Sequence, residues 1–306
     1  MSGSLGRRLI LRLAESPAVN HFVRRYGPGL GAYRFVAGDT LDDALAAVAT
    51  LAAEGITATL DRLGEGRVDG AYARAAAADY VRIIGAIARG NLPCHVSLKL
   101  TQLGLDLDPA LCEENLRQIV AAADTAGSFV RVDMEDSSRT GATLDLFERV
   151  RKDFQNVGIV IQAYLRRSQD DLRRLGELDA SVRIVKGAYM EGPDVAFPEK
   201  ADVDENYRAL VAMHLGGGHH TAVATHDEAL IAFTDSFVRE HDIPKDHFEF
   251  QMLYGIRPQR QEELAREGYG MRVYVPFGPE WYPYFMRRLA ERPANLGFFL
   301  RSLFRA

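Results

Sequence analysis

The sequence predicts an α/β fold, a (βα)8 barrel of the TIM type, and three observations lead there. Eight short apolar runs, many rich in β-branched residues, recur between amphipathic or alanine-rich stretches long enough for helices. Strands that alternate with helices build a parallel sheet, and eight such units in about 250 residues match a closed barrel. Almost every run also delivers a polar or ionisable side chain at its C-terminal end, the end at which barrels place their active sites.

In chain order, residues 5–25 read as a helix with basic positions Arg7, Arg8, Arg12, Arg24 and Arg25, stopped by Gly27-Pro28-Gly29. A second helix spans about 40–54 and ends at Gly55. The strands then fall at 56–63, 94–100, 129–135, 157–164, 182–189, 220–226, 248–253 and 271–277. Helices fill the intervals at about 70–89, 110–126, 142–154, 168–178, 203–217, 227–241, 259–267 and 279–290. The organisation is therefore one barrel over 55–291 in a chain of residues 1–306, with an N-terminal helical segment 1–54 and a C-terminal tail 292–306. The loop at 190–202 carries Gly192, Pro193 and Pro198 and reads as a lid or a cofactor-covering segment.

Composition narrows the function. The 306 residues are 47% hydrophobic and 26% charged, ordinary for a globular chain with a large core. A net charge of −5 argues against a nucleic-acid surface. The two cysteines, Cys94 and Cys112, permit no disulfide framework or CxxC knuckle, which fits a reducing compartment. No apolar run approaches the ~18 residues of a membrane span, and Arg12 interrupts the stretch that a secretory signal would need, so a cytoplasmic location is expected.

The predicted rim holds Asp61 and Arg62, Lys99 and Thr101, Asp133 and Glu135, Gln162 and Tyr164, Lys186 and Tyr189, Thr225 and His226, Gln251 and Leu253, and Tyr274. Its cations, with Arg183 inside the fifth strand, suit an anionic substrate or a phosphorylated cofactor. An unpaired charge in a strand is costly, so Arg183 needs an anionic partner. No GxGxxG follows a strand, which excludes a Rossmann site. His220 and His226 stand at opposite ends of one strand, roughly 20 Å apart at ~3.3 Å per residue, so they cannot share a metal and none is expected. Lys99 or Lys186 could also serve a cofactor-free Schiff-base lyase, although Asp133 beside Lys99 favours its charged form. Arg287 and Arg288, on the helix after the eighth strand, form a pair suited to gripping a small carboxylate, with Glu291 at helical spacing from both.

Six motifs, one per segment and in order, resemble the proline dehydrogenase family: SLKLTQLG at 97–104, VDME at 132–135, RIVKGAY at 183–189, ATH at 224–226, FQMLYG at 250–255 and RRLAE at 287–291. The resemblance covers about 55–300 and is similar to the short monofunctional bacterial enzymes. It implies a distorted barrel that binds FAD, with a C-terminal helix over the active site. It also implies oxidation of L-proline to Δ1-pyrroline-5-carboxylate by hydride transfer to flavin N5, with a membrane quinone as electron acceptor. By the resemblance, Arg287, Arg288 and Lys99 bind the substrate carboxylate, while Tyr189, Leu253 and Tyr274 wall the ring. Asp133 and Arg183 match the paired catalytic positions. Met134, Gln162, Arg183, Val185, Lys186, Gly187, Ala188, Thr225, His226 and Glu291 match cofactor-binding positions, and Lys200 is a candidate for the adenine-side phosphates. The first 50 residues carry no motif of the family. A different flavin barrel, of the methylenetetrahydrofolate reductase type, and a non-catalytic binding barrel are the other readings. The aromatic, basic tail at 296–305 reads first as a last helix packed on the barrel or its N-terminal helix, and second as a candidate for peripheral contact with the inner face of the cell membrane.

Overall fold

The computed structural model describes residues 16–27, 32–64 and 69–291. Much of the basic helix expected at 5–25, the 292–306 tail and the side chain of Glu291 lie outside the described residues.

Eight parallel strands close into a barrel in sequential order: β1 (Thr57–Arg62), β2 (Cys94–Leu98), β3 (Val130–Val132), β4 (Val157–Gln162), β5 (Val182–Val185), β6 (Thr221–Ala224), β7 (Phe248–Leu253) and β8 (Gly270–Phe277). Helices α1 (Pro17–Tyr26) and α2 (Leu41–Ala53) precede them. Each strand feeds one helix: α3 (Gly70–Arg89), α4 (Pro109–Thr125), α5 (Ser137–Arg151), α6 (Ser168–Gly176), α7 (Lys200–Gly216), α8 (Glu228–Glu240), α9 (Pro258–Arg266) and α10 (Trp281–Glu291). Among the described residues, no helix is long and apolar enough to cross a membrane.

Local chemistry starts half of these helices. Thr40 and Asp43 form a capping box at α2, and Asp69, Asp108, Asp136 and Asp227 cap α3, α4, α5 and α8 through their carboxylates. The main apolar cluster lies between the sheet and the helix ring, where Leu60, Val96, Ile159 and Ile184 of the strands are fully buried. The first six strands are shorter than the sequence suggested, whereas β7 matches it and β8 starts one residue earlier; β5 stops at Val185, so Lys186 to Tyr189 belong to the loop that follows. Tyr274 lies within β8, opposite Thr59 of β1 and Leu253 of β7, and not at a strand end. Period-two alternation sends Asp61 inward but Arg62 outward, where Arg62 pairs with Asp79 of α3 at 2.7 Å; the rim position expected for it is wrong.

A second apolar cluster joins Val23 of α1, Phe35, Val36, Leu63 and Ile256 to Trp281, Phe285 and Leu289 of α10. Arg24 of α1 reinforces it by donating to the Pro279 carbonyl at 2.9 Å and to the Glu280 carboxylate at 2.8 Å. The N-terminal segment thus has a structural task that no motif announced: it supports the helix that carries the two arginines.

The barrel interior is polar near its N-terminal end. Arg272 and Glu249 form a buried pair, Nε to Oε1 at 2.9 Å, and Arg272 also donates to the Ala58 carbonyl at 2.8 Å. Burial by itself would raise the Glu249 carboxyl, but the Arg272 guanidinium and the hydrogen bonds from Arg272 and Gln251 hold it down at about 2. Its stabilising effect is complete above the ordinary glutamate value, about 4.3, and is lost as pH falls toward about 2. Glu249→Gln should therefore lower stability by about 3–5 kcal/mol at neutral pH, because it leaves the arginine charge uncompensated. Chemical denaturation of both proteins across pH would check this; their difference should shrink as the wild-type carboxyl protonates.

Candidate active site

The C-terminal ends of the strands surround a cavity of about 590 Å3. Every described residue that the sequence singled out for substrate or cofactor lines it, from Lys99 after β2 round to Arg287 and Arg288 on α10. Another cavity, of about 490 Å3, opens at the opposite end among Arg131, His95, His220 and Arg272, and Arg183 and Gln251 line both. The chemistry of a barrel belongs at the C-terminal face, so the first cavity is the candidate site.

At its base, β5 turns Arg183 into the barrel, where the side chain is 5% exposed. Its anionic partner is Asp133, just beyond β3, with Nη1 2.8 Å from Oδ1. Ser97 of β2 donates to the same Oδ1 at 2.7 Å, and Gln251 of β7 accepts from Arg183 Nε at 2.6 Å. Gln251 in turn donates to Glu249, which links this group to the Arg272 pair below. The Tyr274 hydroxyl lies 2.8 Å from Asp133 Oδ2 and 2.7 Å from Asp61 Oδ2. Burial, then the charges of Asp133 and Asp61, push the Tyr274 phenol well above its ordinary 10, so it keeps its proton. Lys99 reaches Asp61 at 3.2 Å and Asp133 at 3.7 Å.

On the far side, Lys186 is held between Asp204 of α7 at 2.5 Å and Asp227, the cap of α8, at 2.8 Å. Lys200 joins the same two carboxylates. His226 Nε2 accepts the Leu253 N–H at 3.0 Å, which makes that nitrogen the unprotonated one. Gln162 donates one amide hydrogen to the Glu135 carbonyl at 2.8 Å. Gly187 takes φ +110°, and a Cβ there would fall 2.1 Å from the Tyr164 ring, so only glycine lets the backbone follow this path.

The mouth is formed by α10 and the β5–α7 loop. Arg287 and Arg288 diverge by ~100° on the helix, yet both face the cavity, and the Arg288 guanidinium stacks over Tyr284 at 5.1 Å. Tyr189 and Met190 are exposed beside them. The loop expected as a lid is tied down: Glu191 accepts from the Ser137 N–H and hydroxyl at 2.8 and 2.7 Å, and Phe197 N–H donates to the Tyr164 carbonyl at 2.8 Å.

Some rim expectations fail. Thr101 and Glu135 bind each other, N–H to carboxylate at 3.1 Å, and do not line the cavity; Tyr164 packs under Gly187. Sequence reasoning assigned no role to Ser97, Asp204, Asp227 or Tyr284. Two of these had a signal. Ser97 sits two residues before Lys99, on the period-two face of β2, and Asp204 is four residues from Lys200 on one helix.

A closed (βα)8 barrel whose strand ends gather buried carboxylates, cations and an apolar floor has the form of a barrel enzyme that takes a small charged substrate. The comparisons narrow this. The sequence profile of the proline dehydrogenase family matches residues 44–301. Proline dehydrogenase 1 of Bacillus subtilis strain 168 is 47% identical over 297 residues, covering 97% of this chain and 98% of its own length. Proline dehydrogenase of Deinococcus radiodurans is 44% identical over 308 residues, covering 99% of both. Among solved structures, proline utilization A (PutA) of Bdellovibrio bacteriovorus, inactivated by N-propargylglycine, superposes with a TM-score of 0.79 at 28% identity. That match covers 85% of this chain but only 32% of the much longer PutA chain. The chain belongs to the proline dehydrogenase family. It is an oxidoreductase of proline catabolism, with proline as its substrate.

The turn at Gly187 yields a test of the site's architecture. Gly187→Ala should cost about 1–3 kcal/mol from the positive φ alone, with the Tyr164 collision adding to it. Thermal and denaturant unfolding of the purified variant would measure the loss.

Proposed function

We propose that the cavity binds FAD and L-proline together and that the protein oxidises proline to Δ1-pyrroline-5-carboxylate, with a membrane quinone as the final acceptor. The observation that carries this reading is the gathering of every described candidate residue around one cavity. The donor set fits the cofactor. Val160, Val185, Met134 and Met252 offer an apolar floor for a planar ring, Gln162 keeps donor and acceptor capacity for a ring edge, and Lys186 and Lys200 stand where phosphates need cations. When bound, FAD supplies the two-electron acceptor for the hydride.

The chain's own residues do the rest. Arg287, Arg288 and Lys99 hold the substrate carboxylate, while Tyr189, Leu253 and Tyr274 wall its ring. Asp133 and Arg183 form the ordered base of the site, with Gln162, Thr225, His226 and the Val185–Ala188 backbone toward the cofactor. Lys186 is already matched by two carboxylates and Arg183 by one, so Arg183 would be the better placed cation toward a bound flavin. The exposed Tyr189 and Met190 at the mouth give an apolar approach for a quinone. The tail considered for membrane contact lies outside the described residues.

Purified protein should show a flavin spectrum that bleaches on anaerobic addition of L-proline; protein that is folded yet unable to take up flavin would refute the reading. Because the solved PutA is described as inactivated by N-propargylglycine, the same compound should inactivate this protein irreversibly. Arg288→Met should weaken proline binding ~10- to 100-fold, the value of one charge-assisted hydrogen bond, while flavin content stays near wild type. Loss of flavin with proline affinity retained would place Arg288 on the cofactor instead.

A further inference from the structure

Proline is a secondary ammonium ion near neutral pH, and its ring carbon can release hydride only after the nitrogen has lost a proton. We propose that Asp61 accepts this proton, relayed through the Tyr274 hydroxyl. Asp61 is 1% exposed, on the inward face of β1, and lines the cavity. The Tyr274 oxygen sits 2.7 Å from Asp61 Oδ2 and 2.8 Å from Asp133 Oδ2. Its phenol carries one hydrogen, which can serve one carboxylate at a time. The other short oxygen–oxygen contact has a place for a second hydrogen, and this is where the substrate's proton lodges.

The geometry selects Asp61 over Asp133 and Lys99. Asp133 already accepts from Ser97 at 2.7 Å and from the buried Arg183 at 2.8 Å, and protonating it would leave that guanidinium uncompensated. Lys99 engages both carboxylates, with Asp61 at 3.2 Å and Asp133 at 3.7 Å, so Asp133 still balances it when Asp61 takes the proton. The step balances. The substrate N–H bond breaks and its proton joins the Tyr274 oxygen, as the Tyr274 hydrogen passes to Asp61 Oδ2. The nitrogen keeps the electron pair, which becomes the C=N π bond when hydride leaves the neighbouring carbon to the oxidant of the dehydrogenase reaction. The titratable and charged groups around Asp61 are Lys99 beyond β2, Asp133 beyond β3, Arg183 on β5, Tyr274 on β8, and Arg287 and Arg288 across the cavity, with Tyr80 of α3 within electrostatic reach, while Arg62 on its own strand turns outward to Asp79.

The test pairs kinetics with infrared spectroscopy on the flavin-loaded enzyme. Wild-type kcat/KM for proline should fall as pH drops, because Asp61 must be ionised to accept. Asp61→Asn should lower kcat by ~100-fold or more and erase that acid limb, and Tyr274→Phe should follow it. Asp61→Glu should recover part of the rate. Flavin content and the flavin absorption spectrum of Asp61→Asn should match wild type, which reports an intact site. Adding proline anaerobically should raise a carboxylic-acid carbonyl band in wild type that is absent in Asp61→Asn. A wild-type kcat and acid limb in Asp61→Asn, or a carbonyl band that persists there, would overturn the proposal. The proposal rests on the amine oxidation described above. Wild-type protein that left proline unoxidised would overturn both readings, whereas an Asp61→Asn variant indistinguishable from wild type would overturn this one alone.

Discussion

The ion pair between Arg183 and Asp133 is the constraint that orders the interior of this barrel. Each charge would cost several kcal/mol to bury alone, and the attraction repays that only where other hydrogen bonds satisfy the remaining atoms. Here Ser97, Gln251 and Tyr274 complete the set, so β2, β3, β5, β7 and β8 each contribute one group to a single network. No one strand can slip in register without breaking it, since a one-residue shift turns the inward group outward. The same network forms the base of the cavity, so the structure that fixes the sheet also fixes the chemistry.

Charge on the opposite wall follows another logic. Lys186 and Lys200 are matched by Asp204 and Asp227, and the aspartates come from the helices that flank the β5 and β6 loops. These pairs are partly exposed, so each contributes modestly to stability. They hold two flexible cations near one point, and an arriving anion must share those cations with carboxylates already present. At the Arg183 end, Arg183 and Lys99 are likewise matched by Asp133 and Asp61, but those four side chains are almost fully buried, so the two ends of the cavity differ in burial more than in charge.

Most of the architecture was legible in the residues. Hydrophobic runs separated by helix-length intervals specified the eight strands, and the need of Arg183 for an anion pointed to a partner before Asp133 was seen beside it. What failed had local causes. Arg62 looked like a rim cation because a one-residue error in facing is invisible at a strand end, and the alternation set by Asp61 turns it toward Asp79. Thr101 and Glu135 read as site groups but satisfy each other. Tyr274 was counted with the rim although the expected strand already ran to Phe277; it sits mid-strand and reaches Asp61 and Asp133 only through its long side chain. Asp227 was hidden by its ordinary place as a helix cap, a position that aspartate also fills at Asp69, Asp108 and Asp136 among the described helices. The N-terminal segment was mute because its role is packing against α10, and packing partners distant in sequence leave no local signature.

That packing has a consequence for how the molecule behaves as a machine. Arg24 and the Pro279 carbonyl are 255 positions apart in the chain yet share a hydrogen bond, and α1 touches α10 while α10 presents Arg287 and Arg288 to the cavity. The helix that borders the mouth is therefore braced from outside the barrel, by a segment that does not line the cavity among the described residues. Local unfolding of α1 would be felt as a change in ligand residence time, while the buried ion-pair network at the base stayed intact. Selection acting on ligand retention would then reach residues such as Val23 and Phe35, which do not line the cavity, and loosening that outer brace would offer a route to faster turnover without altering a single group in the cavity.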